Sequence, residues 1–409
     1  MLSFAQVCAA LDRRNHITLG LERIETLLDV LERPDLKLPH VTQVVGTNGK
    51  GTTTLALVAA LEELGYASGA YLSPHVLSYT ERVMLQGRQS SETEFAGGMG
   101  EAIALADEHG IPASQFELLT AGALKMFADA GVEWAVLESG LGARHDATSA
   151  VKAEAVVLTN VALDHTQYLG ETVEEITAEK LASLRPGATL LLGTQDPKVL
   201  EVAERECDRV GASMIRVCGG GEEEISGPEF VPYAARNLAL GFAAAETLSN
   251  RKLTAEAREV AALAVRGALP GRFEVHEVDG VPVVVDGGHN AAGVAAALGA
   301  VRSVYGGRPL AVVFGVLHDK DVGSMLSALK GEARIIVLTR PEGERATDPA
   351  LVAREHAPLD VVRRRTLVVE DVLEALSTAV EQIAGAGGVV LVTGSLSTAA
   401  PVLRWLREA

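Results

Sequence analysis

The residues best placed to do chemistry lie in a short glycine-rich stretch, GTNGKGT, at positions 46–52. Its glycines let the backbone approach a bound anion, and the amide groups at the start of the next helix can donate to phosphate oxygens. Lys50 supplies a positive charge for the terminal phosphates of a nucleotide, and Thr52 supplies a hydroxyl for magnesium. The β-branched run 41–45 precedes the stretch and a helical pattern follows it, so we expect a phosphate-binding loop.

The spacing of this loop differs from the common phosphate-loop pattern G-x-x-x-x-G-K-[ST]. Only two residues separate Gly46 from Gly49, and an additional Gly51 follows the lysine. The alternative interpretation is a glycine-rich turn that carries a lysine by chance. The strand predicted before the loop and the helix predicted after it favour phosphate binding over that alternative.

Three further polar residues follow apolar runs of strand length. Ser73 closes GAYLS, Glu138 closes EWAVLE, and His165 follows AVVLTNVALD. Functional groups of α/β proteins gather at the carboxyl ends of parallel strands. A hydroxyl, a carboxylate and an imidazole at that edge could bind Mg²⁺ beside a triphosphate, although magnesium prefers oxygen ligands. The alternative for the histidine is a surface or packing role, and spacing alone leaves both open.

Two polar stretches are further candidates for a site. GLGARHDATS, at 140–149, contains Arg144, whose fork suits a carboxylate or phosphate, and Asp146, which can accept from the N–H donors of a heterocycle. VVVDGGHN, at 283–290, places Asp286 after an apolar strand, where an acidic side chain can bind a ribose hydroxyl. Both stretches are equally compatible with ordinary polar loops or turns.

The elements that must position these residues alternate between helices and short apolar strands. Helical spacing of Leu and Ile predicts a helix over 19–33. The segment 74–88 has no clear period and is predicted to be a long surface loop, which in a compact domain is usually functional. The stretch 219–230 is rich in turn residues and low in hydrophobic ones.

The Pro-Gly pair within ALPGRFEV, at 268–275, marks an interdomain linker. After it, an Asp-Gly turn predicts a β-hairpin, and helices and strands then alternate to the end of the chain. We therefore predict an α/β fold with two domains. The first, 1–268, is a P-loop-type ATP-binding domain with a mostly parallel sheet, and the second, 269–409, is a Rossmann-like α/β domain.

The amino-acid composition limits the kinds of molecule that the protein is expected to bind. The 409 residues carry a formal net charge of −18, which argues against a nucleic-acid-binding surface. Cys8, Cys207 and Cys218 form no C-x-x-C pair, so we expect a reducing, cytoplasmic environment. No signal peptide and no apolar stretch long enough to span a membrane is found, so no membrane partner is expected. Nothing indicates more than a monomer.

A set of motifs occurring in order through nearly the whole chain resembles the folylpolyglutamate synthase / dihydrofolate synthase family of the Mur ligase superfamily. These motifs are GTNGKGT (46–52), LSPHVLSYTERV (72–83), ESGLGARHDAT (138–148), ALDHTQYLG (162–170), EK (179–180), PGRFE (270–274), DGGHN (286–290), GVLHDKD (315–321) and TGSL (393–396). The loop with the extra glycine distinguishes the folate branch from other Mur ligases. The chain departs from the family pattern at Ala143, His145, Ser149 and Ala291, none of which removes a proposed charge or ligand.

The resemblance implies roles for individual residues. Positions that match ATP contacts are Thr47, Asn48, Gly49, Lys50, Gly51, Thr52, Asn237, Arg272, Asp286 and His289. Positions that match magnesium ligands are Ser73, Glu138 and His165. Positions that match the pterin-binding region are Leu19, Gly20, Leu21, Phe116, Arg144 and Asp146. Lys180 matches a lysine that the family carries as a carbamate, and the residues expected to take part in catalysis are Lys50, Lys180, Glu138 and His165.

The activity implied by the resemblance is that of an ATP-dependent amide ligase. An acceptor carboxylate attacks the γ-phosphate of ATP, and the amine of L-glutamate then attacks the acyl phosphate. The expected substrates are ATP, L-glutamate and either dihydropteroate or tetrahydrofolate, with Mg²⁺ as cofactor. Two alternatives remain at this stage: another Mur-type amino-acid ligase, and a P-loop nucleotide-binding regulator without ligase chemistry.

Overall fold

The structure is a computed structural model that describes residues 2–16, 18–217, 230–356 and 366–408. These residues form two compact units. The first comprises the described residues up to 217 together with Ala234–Leu269, and the second comprises residues 230–233 together with those from Pro270 to 408. Cys218, nearly all of the turn-rich stretch 219–230, and the first residue of the strand predicted over 365–369 lie outside the described residues.

The first unit is built on a sheet in the strand order β4-β3-β2-β5-β1-β6-β7-β8. The strands are β1 (His40–Val45), β2 (Ser68–Tyr71), β3 (Val83–Leu85), β4 (Arg88–Gln89), β5 (Trp134–Glu138), β6 (Ala155–Leu158), β7 (Thr189–Leu192) and β8 (Ser213–Arg216). Strands β2, β5, β1, β6, β7 and β8 are parallel to their neighbours in that order. The central strands are continuous apolar runs because helices cover both faces of a parallel sheet.

Helices of the first unit connect and cover these strands. They are α1 (Phe4–Asp12), α2 (Glu22–Val30), α3 (Lys50–Glu63), α4 (Glu92–Glu108), α5 (Gln115–Asp129), α6 (Thr166–Leu169), α7 (Val173–Lys180), α8 (Pro197–Val210), α9 (Pro232–Ser249) and α10 (Ala255–Ala268). Capping boxes begin α4 at Ser91, α5 at Ser114 and α7 at Thr172. In each, the hydroxyl and the glutamate three residues later satisfy backbone amides that the first helical turn leaves without partners.

Three features of this unit differ from the sequence-based expectations. Helix α2 begins only at Glu22, because Gly20 adopts φ +112° and interrupts the helical path. The predicted loop over 74–88 is wrong in part, since it contains a 3₁₀ helix, Tyr79–Arg82, and the strand β3, which pairs with β2 and β4. Helix α10 was not predicted, and it packs against α3.

The second unit is a sheet in the order β13-β12-β11-β14-β10-β9 with helices α11 to α15. Its elements are β9 (Glu274–Val278), β10 (Val281–Val285), α11 (Ala291–Tyr305), β11 (Leu310–Phe314), α12 (Val322–Lys330), β12 (Ile335–Leu338), α13 (Pro349–His356), β13 (Thr366–Val368), α14 (Val372–Ala384), β14 (Val389–Thr393) and α15 (Leu396–Glu408). Only β9 is antiparallel to its neighbour, and the Asp279–Gly280 turn that joins it to β10 has positive φ at both residues. The α/β class and the mostly parallel sheets are confirmed.

No helix among the described residues combines the length and the apolar character that crossing a bilayer would require.

Close packing of α9 on α3 gives the first testable prediction. A Cβ at Gly241 would lie 2.8 Å from the backbone nitrogen of Leu57 and 2.8 Å from the carbonyl oxygen of Thr53. We expect Gly241→Ala to lower the free energy of unfolding by about 1–3 kcal/mol, because two backbones must separate to admit the methyl group. Thermal and urea unfolding followed by circular dichroism measure this change.

Gly97 supplies a matched control in α4 of the same unit, where an added Cβ would meet nothing within 4 Å. We expect Gly97→Ala to raise the free energy of unfolding by about 0.5–1 kcal/mol through the lower entropy of the unfolded chain. Wild-type stability in the Gly241→Ala variant would show that α9 is not in close contact with α3.

Candidate active site

The glycine-rich loop lies between β1 and α3, as its sequence context predicted. Gly46 has φ +148° and Gly49 has φ +82°, and α3 begins at Lys50. Gly49 also meets a packing constraint, since a Cβ there would lie 2.5 Å from the side-chain amide of Asn237 on α9. The loop conformation therefore requires glycine at two positions, and Asn237 lies against the loop, while its predicted contact with ATP stays a prediction.

Side chains that follow β6 hold this loop through the peptide groups of Asn48. The carbonyl of Asn48 accepts from the Thr159 hydroxyl (2.7 Å) and from Asn160 Nδ2 (2.8 Å). The amide of Asn48 donates to Asn160 Oδ1 (3.1 Å), and the amide of Thr47 donates to the carbonyl of Asn160 (2.8 Å). Lys50 Nζ lies 3.4 Å from the carbonyl oxygen of Thr47, so its ammonium group stays beside the loop.

Ser73 and Glu138, two of the three predicted metal ligands, are brought together. The backbone amide of Ser73 donates to Glu138 Oε2 at 2.9 Å, and the Glu138 residue is only 4% exposed. A Cβ at Gly51 would lie 3.4 Å from the same carboxylate oxygen. A buried carboxylate beside the first turn of α3 is a donor of the hard type that Mg²⁺ and Mn²⁺ take, so these residues fit a divalent cation.

His165, the third predicted ligand, begins α6 with a left-handed backbone (φ 50°). Its amide donates to Asp164 Oδ1 at 2.9 Å, and its side chain is 32% exposed. Within the described part of the chain, no group of three or more His, Cys, Asp and Glu side chains has the arrangement of a metal site. The structure brings the Ser73 backbone amide and the Glu138 carboxylate together, and the role of all three residues as metal ligands stays a prediction.

Lys180 ends α7 and is buried, with 4% of its surface exposed. Its Nζ donates to the carbonyl oxygen of Gly46 at 2.8 Å, so it contacts the phosphate loop directly. Burial and, to a smaller extent, the charge of Lys50 together lower the pKa of Lys180 to about 7, against the opposing effect of Asp164 and other carboxylates. Near neutral pH a large fraction of this lysine is therefore an uncharged, nucleophilic amine.

The Asp146 side chain accepts the hydrogen bonds that hold the loop 140–148 together. Its Oδ2 accepts from the amides of Gly140 (2.8 Å) and Leu141 (2.9 Å), and its Oδ1 accepts from the amide (3.0 Å) and hydroxyl (2.5 Å) of Thr148. The residue is 5% exposed, and burial raises the pKa of its carboxyl group although these hydrogen bonds oppose the shift. All four lone-pair directions of the carboxylate are occupied inside the loop.

Phe116 packs against this loop at Gly140, and Arg144 is part of the loop and contacts α7. The Phe116 ring would be 2.8 Å from a Cβ at Gly140, so the glycine is required for the close contact. Arg144 is exposed, and both its amide (3.2 Å) and its Nε (2.9 Å) donate to the Glu179 carboxylate. Leu19 is 55% exposed in the turn before α2. The structure thus shows a partly exposed apolar surface beside a polar loop.

In the second unit, Asp286 follows β10 and is 5% exposed. Its Oδ2 accepts from the Tyr233 hydroxyl (2.5 Å) and the amide of Phe273 (3.1 Å), and its Oδ1 accepts from the amide of Gly288 (2.9 Å). A Cβ at Gly287 would lie 3.2 Å from a guanidinium nitrogen of Arg272. His289 Nδ1 lies 3.3 Å from the Gly287 carbonyl, so the three predicted residues of this unit share one loop region.

Sequence reasoning did not identify several residues that build these sites. Asn160 and Thr159 hold the phosphate loop, Glu179 orients Arg144, and Tyr233 binds Asp286. A signal existed for Asn160, because it closes an apolar run of strand length in the way Glu138 does. The contact of Tyr233 joins residues far apart in the chain, and no local pattern indicates it.

Comparisons with known proteins identify families and individual chains that are similar to this chain. The Mur ligase middle domain family matches residues 44–211, and the family described as Mur ligase, glutamate ligase domain matches residues 271–396. The dihydrofolate synthase/folylpolyglutamate synthase of Mycobacterium tuberculosis is 31% identical over 97% of this chain and 92% of its own length. The Escherichia coli protein of the same name is 34% identical over 77% of this chain and 76% of its own.

Solved structures of folylpolyglutamate synthase and FolC are also similar to this chain over nearly its whole length. The folylpolyglutamate synthase of M. tuberculosis complexed with ADP has a TM-score of 0.87 and 30% identity, and 98% of each chain is covered. E. coli FolC in complex with DHPP and ADP has a TM-score of 0.86 and 29% identity, and covers 100% of this chain and 98% of that one.

Fold, phosphate loop and matched domains define an ATP-dependent ligase of the Mur type. The alternative of a regulator without ligase chemistry is thereby excluded. Within that class, the chain belongs to the folylpolyglutamate synthase / dihydrofolate synthase family, as the order of its motifs predicted.

The position of Lys50 leads to a prediction about the ligase reaction. We expect Lys50→Ala to lower kcat for ADP formation by about a thousandfold, because the lysine charge that stabilises the negative transferring phosphoryl group is lost. The matched control is Lys152→Ala, which removes an exposed lysine elsewhere in the same unit and should retain wild-type kcat. A Lys50→Ala enzyme with near-normal kcat would contradict the role of this lysine.

Proposed function

We propose that this ATP-dependent glutamate ligase adds L-glutamate to a folate-type carboxylate, either that of dihydropteroate or that of a tetrahydrofolate. The observation that carries the proposal is the geometry of the loop 46–51. Side chains of neighbouring residues bind the Asn48 peptide groups and the Gly46 carbonyl, so the loop is held by contacts that need no nucleotide. A glycine-rich loop held in this way at a helix N-terminus suits the phosphates of ATP.

In the proposed reaction, an oxygen of the acceptor carboxylate attacks the γ-phosphorus of ATP, and ADP leaves. The nitrogen of the uncharged amino group of L-glutamate then attacks the acyl carbon, inorganic phosphate leaves, and the nitrogen loses a proton as the amide forms. The chain contributes Lys50 and the amides of Gly49 to Thr52, which stabilise negative charge on the transferring group. Charge stabilisation and positioning supply most of the catalysis in such transfers.

The cation that we propose for the site is Mg²⁺, held by Ser73, Glu138 and His165. A bound cation would neutralise negative charge on the phosphate oxygens. A solved structure of the Yersinia pestis bifunctional folylpolyglutamate synthase/dihydrofolate synthase is complexed with AMPPNP and Mn. A second solved structure of a bifunctional folylpolyglutamate synthase/dihydrofolate synthase has Mn, AMPPNP and L-glutamate bound, and both support a divalent cation in the reaction. Glu138 contributes a buried, oriented carboxylate, since the Ser73 amide fixes one of its oxygens.

For Lys180 we propose carbamylation. The Nζ lone pair attacks the carbon of CO₂, a proton leaves the nitrogen, and the product is an anionic carbamate. The lowered pKa of Lys180 makes the required neutral amine available near pH 7. Carbamylation prevents Lys180 from carrying a positive charge close to Lys50. It also places a carboxylate-like group beside the phosphate loop, where the group can support the cation site.

The acceptor is proposed to bind along Leu19, Gly20, Leu21, Phe116, Arg144 and Asp146. Phe116 offers an aromatic face, and the exposed Arg144 guanidinium can approach a carboxylate or carbonyl group. In the second unit, Arg272, Asp286 and His289 are proposed nucleotide contacts on the basis of the family motifs they occupy.

The two-domain division with a boundary after residue 268 belongs to the same proposal, as do the assignment to the cytoplasm and the monomeric state. Cys8 and Cys207 are unpaired, which is compatible with a reducing compartment.

A substrate assay tests the proposed function directly. We expect the purified protein with ATP, Mg²⁺ and L-glutamate to release ADP only when dihydropteroate or tetrahydrofolate is added, with a product heavier by one glutamate residue. A coupled ADP assay and mass spectrometry measure the two events. Absence of ADP release with either acceptor would contradict the proposal, and release with a different acceptor from a Mur-ligase panel would support the alternative amino-acid ligase.

The lowered pKa of Lys180 predicts a pH dependence of carbamylation. A depressed lysine pKa means that the folded protein binds the proton less tightly, so the neutral amine gains population as pH rises through about 7. At a fixed pressure of ¹³CO₂ we expect the carbamate signal in ¹³C NMR to be larger at pH 8 than at pH 6. The signal should vanish in Lys180→Ala, and its persistence there would assign the carbamate to another amine.

A further inference from the structure

Arg23, in the first turn of α2, joins two parts of the proposed acceptor site. Its terminal nitrogen Nη2 donates to the carbonyl oxygens of Thr18 (3.1 Å) and Leu19 (3.3 Å) in the turn before the helix. Its Nε donates to Glu117 Oε2 at 3.3 Å, and its Nη2 lies 3.1 Å from Glu117 Oε1 on α5. One guanidinium group therefore links the turn 18–21 to α5.

Glu117 on α5, which binds Arg23, is itself held in place by further hydrogen bonds. Its side chain is 4% exposed, and Oε2 also accepts from the amide (2.7 Å) and hydroxyl (2.8 Å) of Ser114 in the capping box of α5. The next residue back along α5 is Phe116, whose ring lies against Gly140. A displacement of the turn relative to α5 is therefore a displacement relative to the Phe116 ring.

The turn itself presents Leu19 to solvent. Leu19 is 55% exposed, whereas Leu21 two residues later packs against the hydrophobic core. Gly20 between them has φ +112°, a backbone conformation that residues with a side chain rarely adopt. Such a turn needs an external contact to hold an exposed apolar side chain in one place, and Arg23 binds the carbonyl groups immediately before Gly20.

We propose that Arg23 is a positioning residue that fixes the turn 18–21 beside Phe116 and so sets the affinity for the heteroaromatic part of the acceptor. The inference rests on the proposed function, because it assigns this surface to the acceptor. Guanidinium is suited to the task, since its planar fork of donors can bind a carboxylate and carbonyl oxygens in fixed directions at once. Lysine carries the same charge on one nitrogen without that fork.

Arg33 offers a matched control at the other end of α2. It pairs with the buried carboxylate of Asp35, whose side chain is 2% exposed, through Nε (3.0 Å) and Nη2 (2.6 Å). Each pair has a buried carboxylate, although the Arg33 side chain is 31% exposed and the Arg23 side chain 19%. Among the described residues, the side-chain hydrogen bonds found for Arg33 go to Asp29 and Asp35 and not to the turn 18–21. Loss of either pair leaves a buried carboxylate without its cation and lowers stability.

The experiment compares Arg23→Gln, Arg23→Lys and Arg33→Gln with the wild type, using ADP release with dihydropteroate or tetrahydrofolate. We expect Arg23→Gln to raise the acceptor KM by about ten- to a hundredfold while the KM for ATP and kcat stay within about twofold, because binding of the acceptor is lost uniformly. Arg23→Lys should restore the melting temperature but only part of the acceptor affinity. Arg33→Gln should lower the melting temperature with no change in acceptor KM.

Hydrogen exchange of the amides in 18–22 provides a second readout that needs no acceptor. Faster exchange in Arg23→Gln than in Arg33→Gln is expected if Arg23 holds the turn. Wild-type acceptor KM in a folded Arg23→Gln, or equal KM changes in Arg23→Gln and Arg33→Gln, would overturn the proposal. A wild-type enzyme inactive with both acceptors would overturn the proposed function instead, and the exchange rates would still show whether Arg23 holds the turn.

Discussion

The hydrogen bonds between Asn48 and the residues after β6 are the interaction on which the rest of the first unit depends. The amides that we assign to phosphate, those of Gly49 to Thr52, are not available to stabilise the loop, so the loop is held through other groups, which include the amides of Thr47 and Asn48. Thr159 and Asn160 hold it through the Asn48 carbonyl. They can do so because β1 and β6 pair in parallel, with Val45 opposite Leu158, which brings the residues that follow both strands to the same edge.

Electrostatics around this loop follow from the burial of Lys180. Two lysines near one phosphate-binding loop repel each other, and the pKa of Lys180 falls for that reason and because the residue is desolvated. The adjacent Glu179 is engaged by Arg144 and keeps the loop 140–148 near the end of α7. Consecutive residues of one helix thus connect the phosphate loop to the loop that we assign to the acceptor. A chemical change at Lys180 would alter the charge at the phosphate loop without breaking the contact of Glu179.

Much of this fold and part of the site could be predicted from the sequence, because the signals were local. Apolar runs located β1, β5 and β6, and glycines with Lys50 located the phosphate loop. Helix α10 and the strand β3 were missed because their patterns are short or interrupted and their stability comes from packing on α3 and β2. Arg23 and Tyr233 were missed for a different reason. Each binds a carboxylate distant in sequence, and only the tertiary structure brings the partners together.

The role that the sequence suggests for Asp146 differs from the contacts that the structure shows for it. The sequence suggests a carboxylate that reads the N–H groups of a heterocycle, and the structure shows one whose oxygens accept four internal hydrogen bonds. A ligand can reach this carboxylate only by displacing one donor. The backbone donors of Gly140, Leu141 and Thr148 are fixed by the loop. The Thr148 hydroxyl oxygen also accepts from Gln43 Nε2 at 2.6 Å and lies 2.5 Å from Asp146 Oδ1, so rotating its hydrogen away would leave two oxygen atoms in repulsive contact. Binding of the acceptor at the Asp146 carboxylate would therefore require part of the loop 140–148 to move.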